Sequence, residues 1–147
     1  MRADRAWSVD TNVLVYATEI DSGAPAKQRR AQELLERLFR DPRGCIAGQA
    51  LSEYLSVVLR RRTMPAAMAL ETVNVWSQTA QVIGASAQAY ERAWALAAKS
   101  NYQVWDALII AVCAEHGVAR LYSEDAGSLR RPLGVQVINP FEGVESP

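Results

Sequence analysis

Short apolar runs alternate along this chain with longer stretches in which apolar positions return at helical spacing. Ala6 to Val9 reads as a first strand, and Asn12 to Thr18 as a short helix after it. A turn containing Gly23 and Pro25 leads into a longer helix through Arg40. Its Ala31, Leu34, Leu35, Leu38 and Phe39 share one face; Arg29, Arg30, Glu33, Glu36, Arg37 and Arg40 take the other. Asp41, Pro42 and Gly44 end that helix, and Cys45 to Ala47 reads as a second strand. Gly48 opens a helix striped by Leu51, Tyr54, Leu55 and Val58, which runs out at Arg60, Arg61 and Arg62. Pro65 starts another, carrying Met68, Val75 and Trp76.

Val82 and Ile83 form a short third strand. Ser86 is the expected N-cap of a helix with Tyr90, Ala93, Trp94 and Ala97 on its apolar face. Trp105 to His116 is a strongly apolar helix stopped by Gly117. Arg120 to Tyr122 and Val135 to Ile138 supply the last strands, and Pro140 closes the pattern. Strands alternating with helices, without a repeat or a long linker, predict an α/β chain: a three-layer α/β/α domain around a central parallel sheet. A chain of 147 residues, half of them hydrophobic, suits one domain over residues 1–147.

Sixteen Lys and Arg balance sixteen Asp and Glu, so no global basic signature advertises nucleic acid. Charge can still be local: acids gathered around a cation leave the remaining surface more positive. The apolar stretches fall short of a membrane span. Arg2 and Arg5 are followed by no apolar signal region, so no export is expected. Cys45 and Cys113 lie inside expected elements, in no metal-ligand spacing, and read as small buried thiols. A reducing cytoplasm is the simplest location.

Four acids change the picture. Asp10, Glu53, Asp106 and Asp125 each fall at or near an end where parallel strands and the helices after them converge. Taken singly, each has an ordinary reading. Asp10 suits a helix N-cap, with Asn12 available to share the capping and leave the carboxylate free. Glu53 suits an exposed helix flank, and Asp125 a surface loop. Asp106 suits the positive end of a helix dipole, but its helix is apolar on most sides and the neighbouring sequence offers it no Lys or Arg. Together the acids demand a counter-charge, because clustered carboxylates raise one another's pKa. A hard divalent cation such as Mg²⁺ or Mn²⁺ takes oxygen ligands of this kind. Bound there, it lowers the pKa of water and clamps a phosphate oxygen, which points to phosphodiester hydrolysis.

The motifs that carry these acids resemble the PIN domain, and within it the VapC-type ribonuclease toxins of toxin–antitoxin pairs. SVDTNVLVYA resembles the family's first strand and helix, and QALSEYL its second acidic motif. VWDALIIAVCAEHG resembles its third, LYSED its fourth, and VINPF its closing strand. The resemblance runs in order over nearly the whole chain. It implies an Mg²⁺-dependent endoribonuclease, with Mn²⁺ as a substitute. Asp10 and Asp106 would be direct metal ligands, and Glu53 and Asp125 would complete the site directly or through water. Asn12 and Ser123 would support it by hydrogen bonds. At the fourth position Asp125 is preferred to its neighbour Glu124. The resemblance also implies an RNA substrate and a small antitoxin, while Ala- and Leu-rich helix faces before Arg62 suit a homodimer seam or the antitoxin's groove.

Other readings are weaker. His116 is the only histidine, which excludes a ribonuclease built on a His pair, and suits a helix C-terminus. No nucleophile elbow, P-loop or dinucleotide glycine pattern is present. An aspartyl phosphatase would need an acid where Asn12 stands. Arg60, Arg61, Arg62, Arg130 and Arg131 are available to RNA phosphates, but most read as a solvated helix end and loop. Trp76, Trp94, Tyr54 and Tyr90 read as core or partner surface. A stand-alone RNA-processing nuclease and a non-catalytic PIN binding module are the alternatives.

Overall fold

A computed structural model describes residues 5–20, 22–125, 127 and 129–144 of the chain. Strand β1 (Trp7–Val9) is buried along its whole length. Ser8 is tolerated there because its hydroxyl donates to the Cys45 carbonyl at 2.6 Å. Helix α1 (Thr11–Thr18) follows at once, and α2 (Pro25–Arg40) starts on a proline and buries Ala31, Leu34, Leu35 and Leu38. Strand β2 (Gly44–Ala47) is again fully buried. A Cβ at Gly44 would stand 2.5 Å from the Leu38 carbonyl oxygen, so only glycine lets the end of α2 pass so close.

Helices α3 (Gly48–Arg61) and α4 (Ala66–Thr79) lead to β3 (Gln81–Ile83). Helices α5 (Ala87–Lys99) and α6 (Val104–Glu115) lead to β4 (Arg120–Tyr122), and a 3-10 turn at Pro132–Gly134 precedes β5 (Gln136–Ile138). Ser86 caps α5 by accepting from the Ala89 amide, and Gly117 ends α6 with φ +70°, both as expected.

All strand pairs are parallel, in the order β3-β2-β1-β4-β5. Right-handed crossovers then place α1 to α4 on one face and α5 with α6 on the other. The packing agrees: α1 meets α2 and α3, α3 meets α4, and α5 lies along α6. The three-layer α/β/α architecture is therefore the one the alternating pattern predicts. The chain leaves β1 in one direction and returns through β4 on the other side. The crevice between those two strands is the sheet's switch point, where open α/β sheets bind ligands.

One helix face differs from expectation. Helix α5 buries Ala89, Ala93 and Leu96, while Tyr90 and Trp94 stand exposed and pair with each other, ring centroids 6.2 Å apart. The small alanines let α5 approach α6 closely, which turns the aromatic rings onto the flank. In α4 the buried positions are Ala69 and Trp76, and Met68 and Val75 are exposed. Trp76 fixes that rotation by packing on Tyr54, centroid to centroid 4.8 Å. Cys45 and Cys113 are buried free thiols, as expected. No helix among the described residues is long and apolar enough to cross a membrane.

Candidate active site

Asp10 leaves β1 at the switch point as the N-cap of α1. Its Oδ1 accepts from the Thr11 amide at 2.7 Å, and its Oδ2 accepts from the Ser123 hydroxyl at 2.7 Å. The capping reading of Asp10 was thus correct without excluding a second role. Asn12 does not share the capping; it reaches across the switch point instead. Its Nδ2 donates to Ser123 Oγ and to Asp125 Oδ2, each at 3.3 Å, and its Oδ1 accepts from the Glu124 amide at 3.2 Å. Ser123, buried just after β4, also accepts from the Asp125 amide at 3.1 Å. One hydroxyl therefore ties the end of β1 to the loop after β4.

Asp106 enters from the first turn of α6. An oxygen from each of Asp10, Asp106 and Asp125 lies within 4.8 Å of the other two. Glu53 falls outside that group, yet it lines a cavity of about 320 Å³ together with all three acids. It is held by Thr11 Oγ1 at 2.8 Å and by Gln49 Nε2 at 2.9 Å. Glu124 faces elsewhere: it accepts from the Tyr16 hydroxyl at 2.8 Å and pairs with Lys27. That ammonium sits 5.4 Å from the Tyr16 ring centroid and 5.9 Å from that of Phe141. Of the two neighbouring acids, Asp125 joins the cluster and Glu124 anchors its loop.

The electrostatics follow from this crowding. Burial pushes the Asp10 carboxyl from 3.8 up to about 6. The Ser123 and Thr11 hydrogen bonds pull it down, and the charges of Glu53 and Asp125 push it further up. Asp106 is pushed to about 7, first by burial and then by Asp10, Asp125 and Glu53, with no hydrogen bond from the described residues to offset them. No Lys or Arg among the described residues pairs with any of these acids. An all-oxygen donor set, crowded and uncompensated, fits a hard divalent cation.

A groove of about 610 Å³ opens beside the acids, with Gln49, Glu53, Arg60, Trp105 and Asp106 in its walls. Arg61 lines the acidic cavity itself, whereas Arg130 and Arg131 line a separate hollow with Gln136 and Asn139. Lys27, Tyr16 and Trp105 were not legible as parts of a site. Lys27 and Glu124 are separated by 97 positions, so nothing local could pair them. Trp105 carried one usable signal, its place directly before an expected ligand at the start of a helix.

The sequence profile of the family described as PIN domain matches residues 8–132. No curated protein sequence matches the chain. Among solved structures, the fold is similar to Mycobacterium tuberculosis VapC20, a sarcin-ricin loop cleaving toxin, with TM-score 0.67 and 22% identity over 82% of this chain and 91% of that one. It is also similar to a toxin–antitoxin complex from Klebsiella pneumoniae, with TM-score 0.65 and 20% identity over 92% of this chain and 98% of that one. VapBC2 from Rickettsia felis, bound to a fragment of its promoter DNA, aligns with TM-score 0.65 and 15% identity over 91% of this chain and 98% of that one.

Proposed function

This chain belongs to the PIN-domain family, and on that premise we propose that it is an Mg²⁺-dependent endoribonuclease, active also with Mn²⁺, and the toxin of a type II toxin–antitoxin pair. The observation that carries this reading is the convergence of Asp10, Asp106 and Asp125 at the switch point of the sheet, with Glu53 beside them. Asp10 and Asp106 hold the cation directly, and Asp125 and Glu53 complete its surroundings directly or through water. When bound, the cation supplies an activated water and a clamp for the phosphate oxygens.

The chain's own residues do the positioning. Ser123 and the Thr11 amide each hold one oxygen of Asp10, so the carboxylate cannot rotate away from the cluster. Asn12 holds Asp125 from the opposite strand end. Thr11 and Gln49 fix Glu53 at the cavity wall, where its carboxylate is placed to orient the attacking water or take its proton. Arg60 and Arg61 flank the acids on the grooves that an RNA backbone would follow.

The toxin part of the proposal is supported by the similar solved structures, which are toxins and toxin–antitoxin complexes. In that setting the chain forms a homodimer in the cytoplasm, cleaves RNA, and is held inactive by a small antitoxin. The test compares wild type with Asp106→Asn on a mixed structured RNA pool in Mg²⁺, in Mn²⁺ and in chelator. Cleavage that disappears in chelator and in the variant is the expected result. Equal cleavage by both proteins refutes the site. If neither protein cleaves the pool, induced expression decides: growth arrest by wild type alone retains the toxin, and arrest by neither rejects it.

A further inference from the structure

Trp105 is 59% exposed in the first turn of α6, next to Asp106. Large aromatic rings are costly to leave in water, and the other tryptophans show what usually happens to them. Trp7 and Trp76 are buried, and Trp94, although exposed to a similar degree, packs against Tyr90. Trp105 makes no ring contact among the described residues, and it walls the groove that runs up to Glu53 and Asp106. Val57 adds a second apolar side chain to that groove, and the other residues that line it are polar or charged. Gln49, Ser52, Ser56 and Gln103 offer it both donors and acceptors, and Arg60 adds a cation.

A flat exposed ring, convertible hydrogen-bonding side chains and one positive charge, continuous with a phosphodiester-cleaving centre, together match an unstacked nucleotide. The ring takes the face of a base, amides and hydroxyls read its edge, and the guanidinium meets a neighbouring phosphate. We propose that Trp105 and the groove it walls form a nucleobase subsite for an unpaired base of the RNA, directly beside the scissile phosphate. This rests on RNA being the substrate, as proposed above. It adds that the substrate is read in a single-stranded segment, because a base inside a duplex cannot reach the indole.

The test measures binding of a short single-stranded RNA, and of its duplex, in chelator, where cleavage is silent. Wild type, Trp105→Ala and Trp105→Phe are compared, each first shown to melt as wild type does. Trp105→Ala is expected to raise the Kd for the single strand about tenfold, the scale of one lost base–aromatic stack. Trp105→Phe stays within about twofold to threefold of wild type, since a smaller ring still stacks. Duplex binding is the same for all three. One abasic position in the RNA costs wild type what Trp105→Ala costs, and the variant is blind to that position. Unchanged single-strand binding by Trp105→Ala overturns the subsite, as does a loss that Phe does not rescue. A changed oligomeric state with unchanged RNA binding also overturns it, and assigns the ring to a protein contact. Metal-dependent cleavage with binding independent of Trp105 rejects the subsite alone. Binding that depends on Trp105 without any cleavage keeps the subsite and rejects the nuclease.

Discussion

Replacing Asp106 with Asn should stabilise the metal-free protein at alkaline pH, although it removes a residue of the proposed centre. The native carboxyl titrates near 7 instead of 3.8. Between those values the folded chain holds a proton that the unfolded chain has released, so stability falls as pH rises through that window. The sign is opposite to that of an acid held by a salt bridge. At face value the displacement corresponds to roughly 4 kcal/mol by about pH 8. Asp106 is only half-buried, and solvent screens part of its repulsion, so about 1–2 kcal/mol should survive.

Asn keeps the shape, carries no charge, and gives up no hydrogen bond that Asp106 makes among the described residues. In a domain of this size the gain corresponds to a rise of about 3–6 °C in Tm. At about pH 4 the native acid is already neutral, and the gap should shrink to under about 2 °C. Circular-dichroism melts in chelator at the two pH values read both numbers. Millimolar Mg²⁺ should then raise the wild-type Tm by mass action and leave the variant unmoved. A variant that is less stable than wild type at alkaline pH, or a gap equal at both pH values, refutes the crowded-carboxylate account.

Three further substitutions probe the surroundings of the acids. Ser123→Ala removes the donor to Asp10 and the acceptor for the Asp125 amide. It should cost about 1–3 kcal/mol in thermal melts, and carboxyl-carbon NMR should find the Asp10 pKa moved above its present value near 6. Lys27→Met breaks the pair with Glu124. The pair is part-exposed, so stability should change by under about 1 kcal/mol. Cleavage should nevertheless lose about threefold to tenfold in kcat at unchanged KM as Asp125 loosens, which steady-state kinetics would show. Gly127→Ala sets a Cβ 2.6 Å from the ring of Tyr102, a buried side chain whose hydroxyl donates to the Leu129 carbonyl at 3.1 Å. That overpacking should cost about 1–3 kcal/mol by chemical denaturation, and a neutral result would mean that the loop gives way freely.

The acids were legible because β1 and β2 are short and run straight into helices, and Asp106 opens the most apolar helix of the chain. Asp10 comes directly after β1, and Asp106 in the first turn of α6, so the topology alone carries them to one edge of the sheet. Helix rotation was not legible where apolar residues occupy adjacent flanks. In α5 the choice between burying Ala93 or Trp94 is made by how closely α6 approaches, and spacing carries no information about that distance. Asp125 was preferred to Glu124 from the family resemblance, but the cause of that partition was hidden, since it depends on Lys27 and Tyr16 reaching the loop from the far end of the chain.

Asp10 shows why the ordinary reading of a residue and its functional reading need not compete. The hydrogen bond from the Thr11 amide that makes it an N-cap takes up Oδ1, and the Ser123 hydroxyl takes up Oδ2. A carboxylate accepts at several lone-pair positions, so both oxygens retain capacity toward the cavity. Those two bonds also lower its pKa, and Asp106, which lacks them, sits higher. Capping thus keeps Asp10 closer to ionised at neutral pH than its burial alone would allow. The same bonds that start α1 hold Asp10 in place for the proposed centre.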